Sequence, residues 1–247
     1  MIENRRQKTE VLSRLCRVLL LSSILCPLSS AIAATPGSVQ ATYDVYKGNL
    51  KIGQIEESFR RDKDHYALAS TTRATGLLAI FKPGKILISS SGLIGQKGLQ
   101  PLRFSDQREG EEHRNRSAEF DWDARQLTMI HREQRTVVTL PDGTQDRLSA
   151  MYQFMFLSLQ AASVLEFSMT NGSKLNNYRY AISLKQKLTT PAGEFDTMHL
   201  NEQAKKGDSR TEIWLATERN NLPCKMIITD AEGGQLTQIL SKLSTMP

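Results

Sequence analysis

The sequence predicts a mainly β protein: a curled antiparallel meander, open or partly closed as a barrel, with one apolar helix packed on its concave side. Three observations lead there. Segments that alternate apolar and polar residues recur roughly every 10 to 15 residues, with no helical pattern between most of them. The connections carry Gly, Pro, Asn and Asp, which supply the backbone angles of tight turns. One uncharged stretch, residues 149–166 (SAMYQFMFLSLQAASVLE), instead repeats its apolar residues with a helical period.

Residues 1–33 read as a secretory signal peptide. Arg5, Arg6, Lys8, Arg14 and Arg17 form a basic lead, residues 18–28 (VLLLSSILCPL) a short apolar core, and Ala31-Ile32-Ala33 a small-x-small cleavage motif. The apolar run falls well short of the ~20 residues that cross a bilayer and contains Pro27. Cys26 invites a lipoprotein reading, but Leu25 stands where a lipidation signal wants a small residue. The expectation is therefore cleavage near Ala33, export to the periplasm, and a single β-rich domain over residues 34–247. Removing the leader leaves Cys224 as the lone cysteine, so the mature chain forms no internal disulfide and must rest on its core. The leader also holds five of the 32 basic and two of the 26 acidic residues, which lowers the net charge from +6 to +3. Arg60-Arg61 and Lys205-Lys206 are isolated doublets rather than a phosphate-binding stripe, so nucleic acid is not an expected partner. The mild positive excess is compatible with peripheral contact with an anionic membrane.

Along the mature chain, residues 41–46 alternate as a strand, Lys47-Gly48-Asn49 suits a hairpin, and residues 50–60 return. Residues 66–72 alternate again. Residues 76–81, closed by Lys82-Pro83-Gly84, leave a short helical turn and a strand equally open. Strands are predicted at 86–91, 102–108, 114–120 and 126–140, the last ending at Pro141-Asp142-Gly143. On a 3.6-residue period, Met151, Phe154, Met155, Leu159, Ala162 and Leu165 share one side of the predicted helix 149–166. Asp146 or Ser149 supplies its N-cap, and Asn171-Gly172 a turn beyond its end. Further strands are predicted at 178–188, 195–204, 210–216, 225–229 and 235–243. A meander of about ten strands has to curl, split or close to hide its edges and cover one face. An apolar helix is the right size to fill part of the hollow, and what it leaves unfilled is a candidate cavity.

Catalytic signatures are sparse. The four histidines, His65, His113, His131 and His199, lie outside metal-ligand spacing of one another, and no H-E-x-x-H, paired-Cys or EF-hand motif is present, so no metal or cofactor is expected. There is no G-x-S-x-G elbow, and Cys224 reads as a packed thiol. Asp121 and Asp123 flank Trp122, where turn-capping is the commoner role of Asp. The remaining lead is apolar and aromatic. Met151, Phe154, Met155 and Trp214 are the candidate walls of a ligand pocket, flexible Met beside Phe suiting an irregular core and an adaptable lipid site alike.

The mature chain also resembles a family of exported bacterial proteins known as domain of unknown function 3108. The likeness rests on Gly48-Asn49-Leu50-Lys51-Ile52-Gly53, Thr75-Gly76-Leu77, Leu99-Gln100-Pro101-Leu102-Arg103-Phe104, Phe120-Asp121, Thr190-Pro191-Ala192-Gly193-Glu194-Phe195, and Trp214-Leu215-Ala216 followed by Leu222-Pro223. It implies a periplasmic, mostly antiparallel β protein and carries over no catalytic residue.

The functional expectation is a non-catalytic periplasmic protein that holds or passes an apolar molecule such as an acyl chain. Two alternatives stand beside it: an envelope-assembly protein whose hollow is filled by its own side chains and which binds another protein, and a hydrolase of an envelope polymer that would bring Asp121 and Glu212 together.

Overall fold

A computed structural model describes residues 35–246, apart from residues 77, 82, 83 and 206. The predicted signal peptide lies outside the described residues. The chain opens with β1 (Ser38–Lys47), β2 (Leu50–Asp62) and β3 (His65–Ala74), followed by the four-residue helix α1 (Leu78–Phe81). Then come β4 (Ile86–Gly95), β5 (Gly98–Arg108), β6 (Arg116–Asp121), β7 (Gln126–His131), β8 (Gln134–Thr139) and the two-residue β9 (Gln145–Asp146). A short helix α2 (Ser149–Gln153) runs into a 3-10 turn (Phe154–Phe156). The remainder is β10 (Val164–Thr170), β11 (Leu175–Thr190), β12 (Gly193–Glu202), β13 (Arg210–Ala216), β14 (Leu222–Thr229) and β15 (Gln235–Met246).

All fifteen strands form one sheet in the order β8 to β1, then β15 to β9. Every neighbouring pair is antiparallel except β9–β10. The first and last strands therefore pair in the middle, Ser38 opposite Met246, while the sheet's two edges are β8 and β9, adjacent in sequence. Among the described residues no ladder joins those edges, so the sheet is not closed. Side chains nevertheless bring its two ends together: Gln145 donates from Nε2 to the Leu99 carbonyl at 2.9 Å, and the Thr170 hydroxyl donates to the Met129 sulfur at 3.2 Å. Gly172, at φ 84°, lies so close to β6 that a Cβ there would sit 2.9 Å from that of Arg116.

Two predicted elements need correction. The helix covers 149–156 rather than 149–166, counting its 3-10 turn. Leu157 is already extended, and at 164–170 β-branched Val164 begins a two-residue alternation of Leu165, Phe167 and Met169, which pairs with β11. The predicted strand 126–140 is two strands, because Arg132 and Glu133 both take positive φ (51° and 64°) and turn the chain without the glycine that normally marks such a hairpin. Residues 76–81, left open by the sequence, contain α1.

Two buried clusters meet at residues 146–159. One gathers Phe59, Leu68, Phe104, Phe120, Leu127 and Leu240 with Tyr152 and Met155; the other gathers Tyr180, Met198, Leu200, Ile213 and Leu215 with Phe154 and Leu159.

Candidate functional site

The short helical segment is wedged between both clusters, and its fastenings define the site. Asp146 starts it. Its Oδ1 accepts hydrogen bonds from the amides of Leu148 and Ser149 at 2.9 and 2.8 Å, while its amide donates to Ser149 Oγ at 2.9 Å. The formal N-cap, Leu148, contributes no side-chain bond, so Asp146 and Ser149 share the capping role expected of one or the other. Asp146 Oδ2 accepts from Ser90 Oγ at 2.6 Å, and Ser90 in turn bonds the Tyr66 hydroxyl at 3.0 Å, which ties the segment's start to β3 and β4. Burial pushes the Asp146 carboxyl upward in pKa, against the pull of these bonds.

One turn on, Tyr152 stacks on Phe59 with ring centroids 5.7 Å apart and donates to Glu57 Oε2 at 3.1 Å. Gln153 bridges the β4–β5 hairpin, accepting from the Leu99 amide at 2.6 Å and donating to the Lys97 carbonyl at 2.7 Å. Gly98 makes this approach possible, since a Cβ at that position would come within 2.8 Å of Phe156 Cβ. The segment's far end is held by Asn221, which donates from Nδ2 to the carbonyls of Phe154 and Leu157 at 3.3 and 3.1 Å.

Two small cavities flank the segment. The first, about 80 Å³, is the more polar of the two, with Tyr43, Glu57, Ser70, Arg147 and Tyr152 beside apolar Ile55, Ile88, Leu148 and Met151. Glu57 accepts from the Ser70 hydroxyl at 3.2 Å as well as from Tyr152; burial raises its pKa, and those bonds and the Arg147 charge oppose the rise. Arg147 reaches fully buried Asp106 at 3.3 Å, and burial lowers its own pKa. The second cavity, about 160 Å³, is largely apolar and is lined by Ala150, Phe154, Leu157, Leu165 and Phe167, with Gln145, Gln153 and Glu166 among its polar groups. Phe167 meets Phe154 edge-on at 6.4 Å and stacks on Tyr180 at 5.9 Å.

A family model described as a protein of unknown function, DUF3108, matches residues 42–241. The chain belongs to the DUF3108 family. No curated protein matches it. Among solved structures, the DUF3108 chain is similar to a beta-barrel-like protein of the domain of unknown function DUF1849 from Brucella abortus, at 12% identity and TM-score 0.54, covering 84% of this chain and 97% of that one. At that identity the likeness shows the fold alone. A lipoprotein candidate from Parabacteroides distasonis aligns at 12% identity and TM-score 0.36, over 85% of this chain and 96% of that one. A protein from Bacteroides fragilis with a YmcC-like fold, thought to be exported, aligns at 9% identity and TM-score 0.32 over the same shares.

The DUF3108 fold does not gather the four predicted pocket residues into one site. Met151 lines the polar cavity and Phe154 the apolar one, while Met155 is buried in the core. Trp214 points to the side of β13 opposite Ile213, between cross-strand partners His199 and Lys225. Its ring stacks on His199 at 4.4 Å, the Lys225 ammonium stands 4.8 Å from its centroid, and its Nε1 donates to Gln186 at 3.2 Å. Asp121 accepts from the Ala124 amide at 2.8 Å and so caps a turn, whereas Glu212 bonds His199 at 3.1 Å, eight strand positions away. No hydrogen bond or ion pair links the two carboxylates. Cys224 is fully buried, its thiol pushed up to about 12 by that burial.

Sequence reasoning missed Glu57, Ser90, Asp106 and Arg147. A signal for the first was available: Glu57 falls in step with Ile55 and Phe59, a carboxylate where strand alternation calls for an apolar side chain. Asp106 stands in the same relation to Phe104.

Proposed function

We propose that this protein is a non-catalytic binding protein of the bacterial envelope that takes an apolar, lipid-like ligand where the helical segment lies against the concave side of the sheet. The observation that carries this reading is the cleft of about 160 Å³ floored by Phe154, Leu157, Leu165 and Phe167. Apolar cavities of ~150 Å³ are large enough to bind a benzene-sized molecule, so the cleft suits the end of an acyl chain rather than a whole lipid. Taking more of the chain requires residues 157–163 to shift, and these carry neither helix nor strand. The envelope location rests on the leader pattern of residues 1–33.

Cavity size favours a second reading. Pockets for drug-sized ligands run to ~300–1,000 Å³, and the two internal cavities here are about 80 and 160 Å³. A hollow filled by its own side chains fits an envelope protein that works by binding another protein. Native mass spectrometry of protein purified from the periplasm, with and without a medium-chain fatty acid, separates the two. Uptake of one fatty acid that Phe154→Trp abolishes supports the binding protein. A sharp apo mass that never shifts, together with a reproducible crosslinked protein partner in intact cells, favours the second reading and ends the first.

A further inference from the structure

We infer that one end of the sheet is a docking surface for an anionic phospholipid bilayer. The strand register puts Ile228 opposite Leu236, Leu236 opposite Lys47, and Lys47 opposite Leu50, so these four residues form a row across β14, β15, β1 and β2. Direct cross-strand partners point to the same side of a sheet, and the row lies at its rim. Leu50 is 69% exposed and Ile228 and Leu236 each 36%, where soluble proteins mostly place polar residues. At the same end, α1 presents Leu78 at 37% and Ile80 at 72% exposure. The Thr75 amide donates to the Ile52 carbonyl at 3.0 Å, which holds the approach to α1 beside the strand that begins at Leu50.

Charge decides what covers this rim. Lys47, exposed in the middle of the row, has no carboxylate partner among the described residues. Lys51 beside it is tied to Asp44 at 2.7 Å. Of the nearby acids, Asp230 accepts from the Gly234 amide and Glu109 from the Lys85 amide, both keeping their charge, and neither these nor Glu232, exposed in the β14–β15 turn, pairs with Lys47. Apolar side chains around an unpaired lysine match the boundary between acyl chains and anionic headgroups. A second copy of the chain is a poorer occupant, because a stable protein interface buries ~800 Å² per partner and this rim offers five apolar side chains interrupted by a charge. The inference stands independently of the ligand cleft, which lies beside α2.

The test is co-sedimentation with vesicles of phosphatidylglycerol and phosphatidylethanolamine against vesicles of phosphatidylcholine alone. The protein should be purified from the periplasm, with intact mass showing the leader removed. Wild type is expected to pellet with the anionic vesicles and to be released by salt. Ile80→Glu and Leu50→Glu should each weaken binding at least about tenfold, and Lys47→Ala about fivefold on anionic vesicles only. All three positions are exposed, so circular dichroism and melting should not change. Absence of binding to anionic vesicles, binding that these variants leave untouched, or a solution dimer that they dissociate would each overturn the inference.

Discussion

On one side of the helical segment, β2 to β5 meet it with directed bonds: Glu57 to Tyr152, Ser90 to Asp146, and the Leu99 amide to Gln153. On the other side, β11 to β13 offer Tyr180, Met198, Leu200, Ile213 and Leu215 to Phe154 and Leu159, and the two residues touch them through apolar surface alone. Directed bonds fix a position, because each is lost within a few tenths of an ångström. Apolar contact is proportional to area and tolerates sliding. The segment is therefore pinned along its polar flank, whereas on its apolar flank Asn221 fixes the backbone at Phe154 and Leu157 and the side chains are left able to give way; the larger of the two cavities lies on that second side.

Phe154→Ala breaks the apolar flank and carries the largest expected effect. Phe154 is 1% exposed, and its truncation should cost about 3–5 kcal/mol, measured as a fall in the denaturation midpoint at unchanged m-value. The hole left behind enlarges the neighbouring cleft. A small apolar ligand should then recover part of the loss in proportion to its concentration. A variant that is destabilised but indifferent to ligand would mean that the cleft is packing and nothing more.

Asp146→Ala attacks the polar flank. It strands the buried amides of Leu148 and Ser149 and one bond of Ser90, and should cost about 2–3 kcal/mol. Its signature differs from that of Phe154→Ala. Amide exchange should accelerate through residues 148–153 while β12 and β13 stay protected, because this cut releases the anchor and leaves the apolar bed intact.

Glu57→Gln sharpens the comparison by changing sign. Burial holds the Glu57 carboxyl protonated over a pH range in which an unfolded chain has already lost that proton. Its contribution to stability is thus full below the ordinary glutamate range and declines as pH rises toward the elevated folded value. Gln mimics the neutral acid and keeps polar atoms for Tyr152 and Ser70. The variant should be more stable than wild type near neutral pH, and the difference should shrink as the pH is lowered into the ordinary glutamate range. Equal stability across that range would mean that the carboxylate is already well solvated in its cavity.

The contrast between the flanks also explains what could be read from the chain. Strands such as β3, where Tyr66, Leu68 and Ser70 are buried in alternation, were legible because a half-buried strand writes its period into the sequence. The family resemblance was legible too, and residues 42–241 bear it out. The end of the helix was not. An uncharged run from Met151 to Leu165 satisfies a helical period and a buried coil equally, and only the pairing of Val164 with Ala181 decides that the chain is extended there. The polar anchors were hidden for a related reason: Glu57, Ser90 and Asp146 stand far apart in sequence, and they converge only because β9 and α2 fold back across β2 to β4. The central pairing of β1 with β15 joins the two ends of the domain, so no local pattern announces it.

The smallest effect belongs to Trp214, which lies on β13 but on the face opposite Ile213 and Leu215. Its neighbours His199, Lys225 and Gln186 hold the ring by stacking, a cation–π contact and one hydrogen bond. Trp214→Phe keeps an aromatic face and loses the bond to Gln186 with some of the attraction to Lys225. The expected cost is about 0.5–1 kcal/mol, because the residue is partly exposed and water can replace the lost donor. Fatty-acid uptake should not change, since Ile213 and Leu215, not Trp214, share a cluster with Phe154 of the helical segment. The same variant can be read by fluorescence: with Trp122 as the remaining indole, any spectral shift on adding ligand would have to come from Trp122, which stacks on Phe120 and donates to the Pro101 carbonyl at 2.7 Å. Uptake that falls together with Trp214→Phe would place the ligand on the Trp214 face of β13 and remove the helical segment from its role.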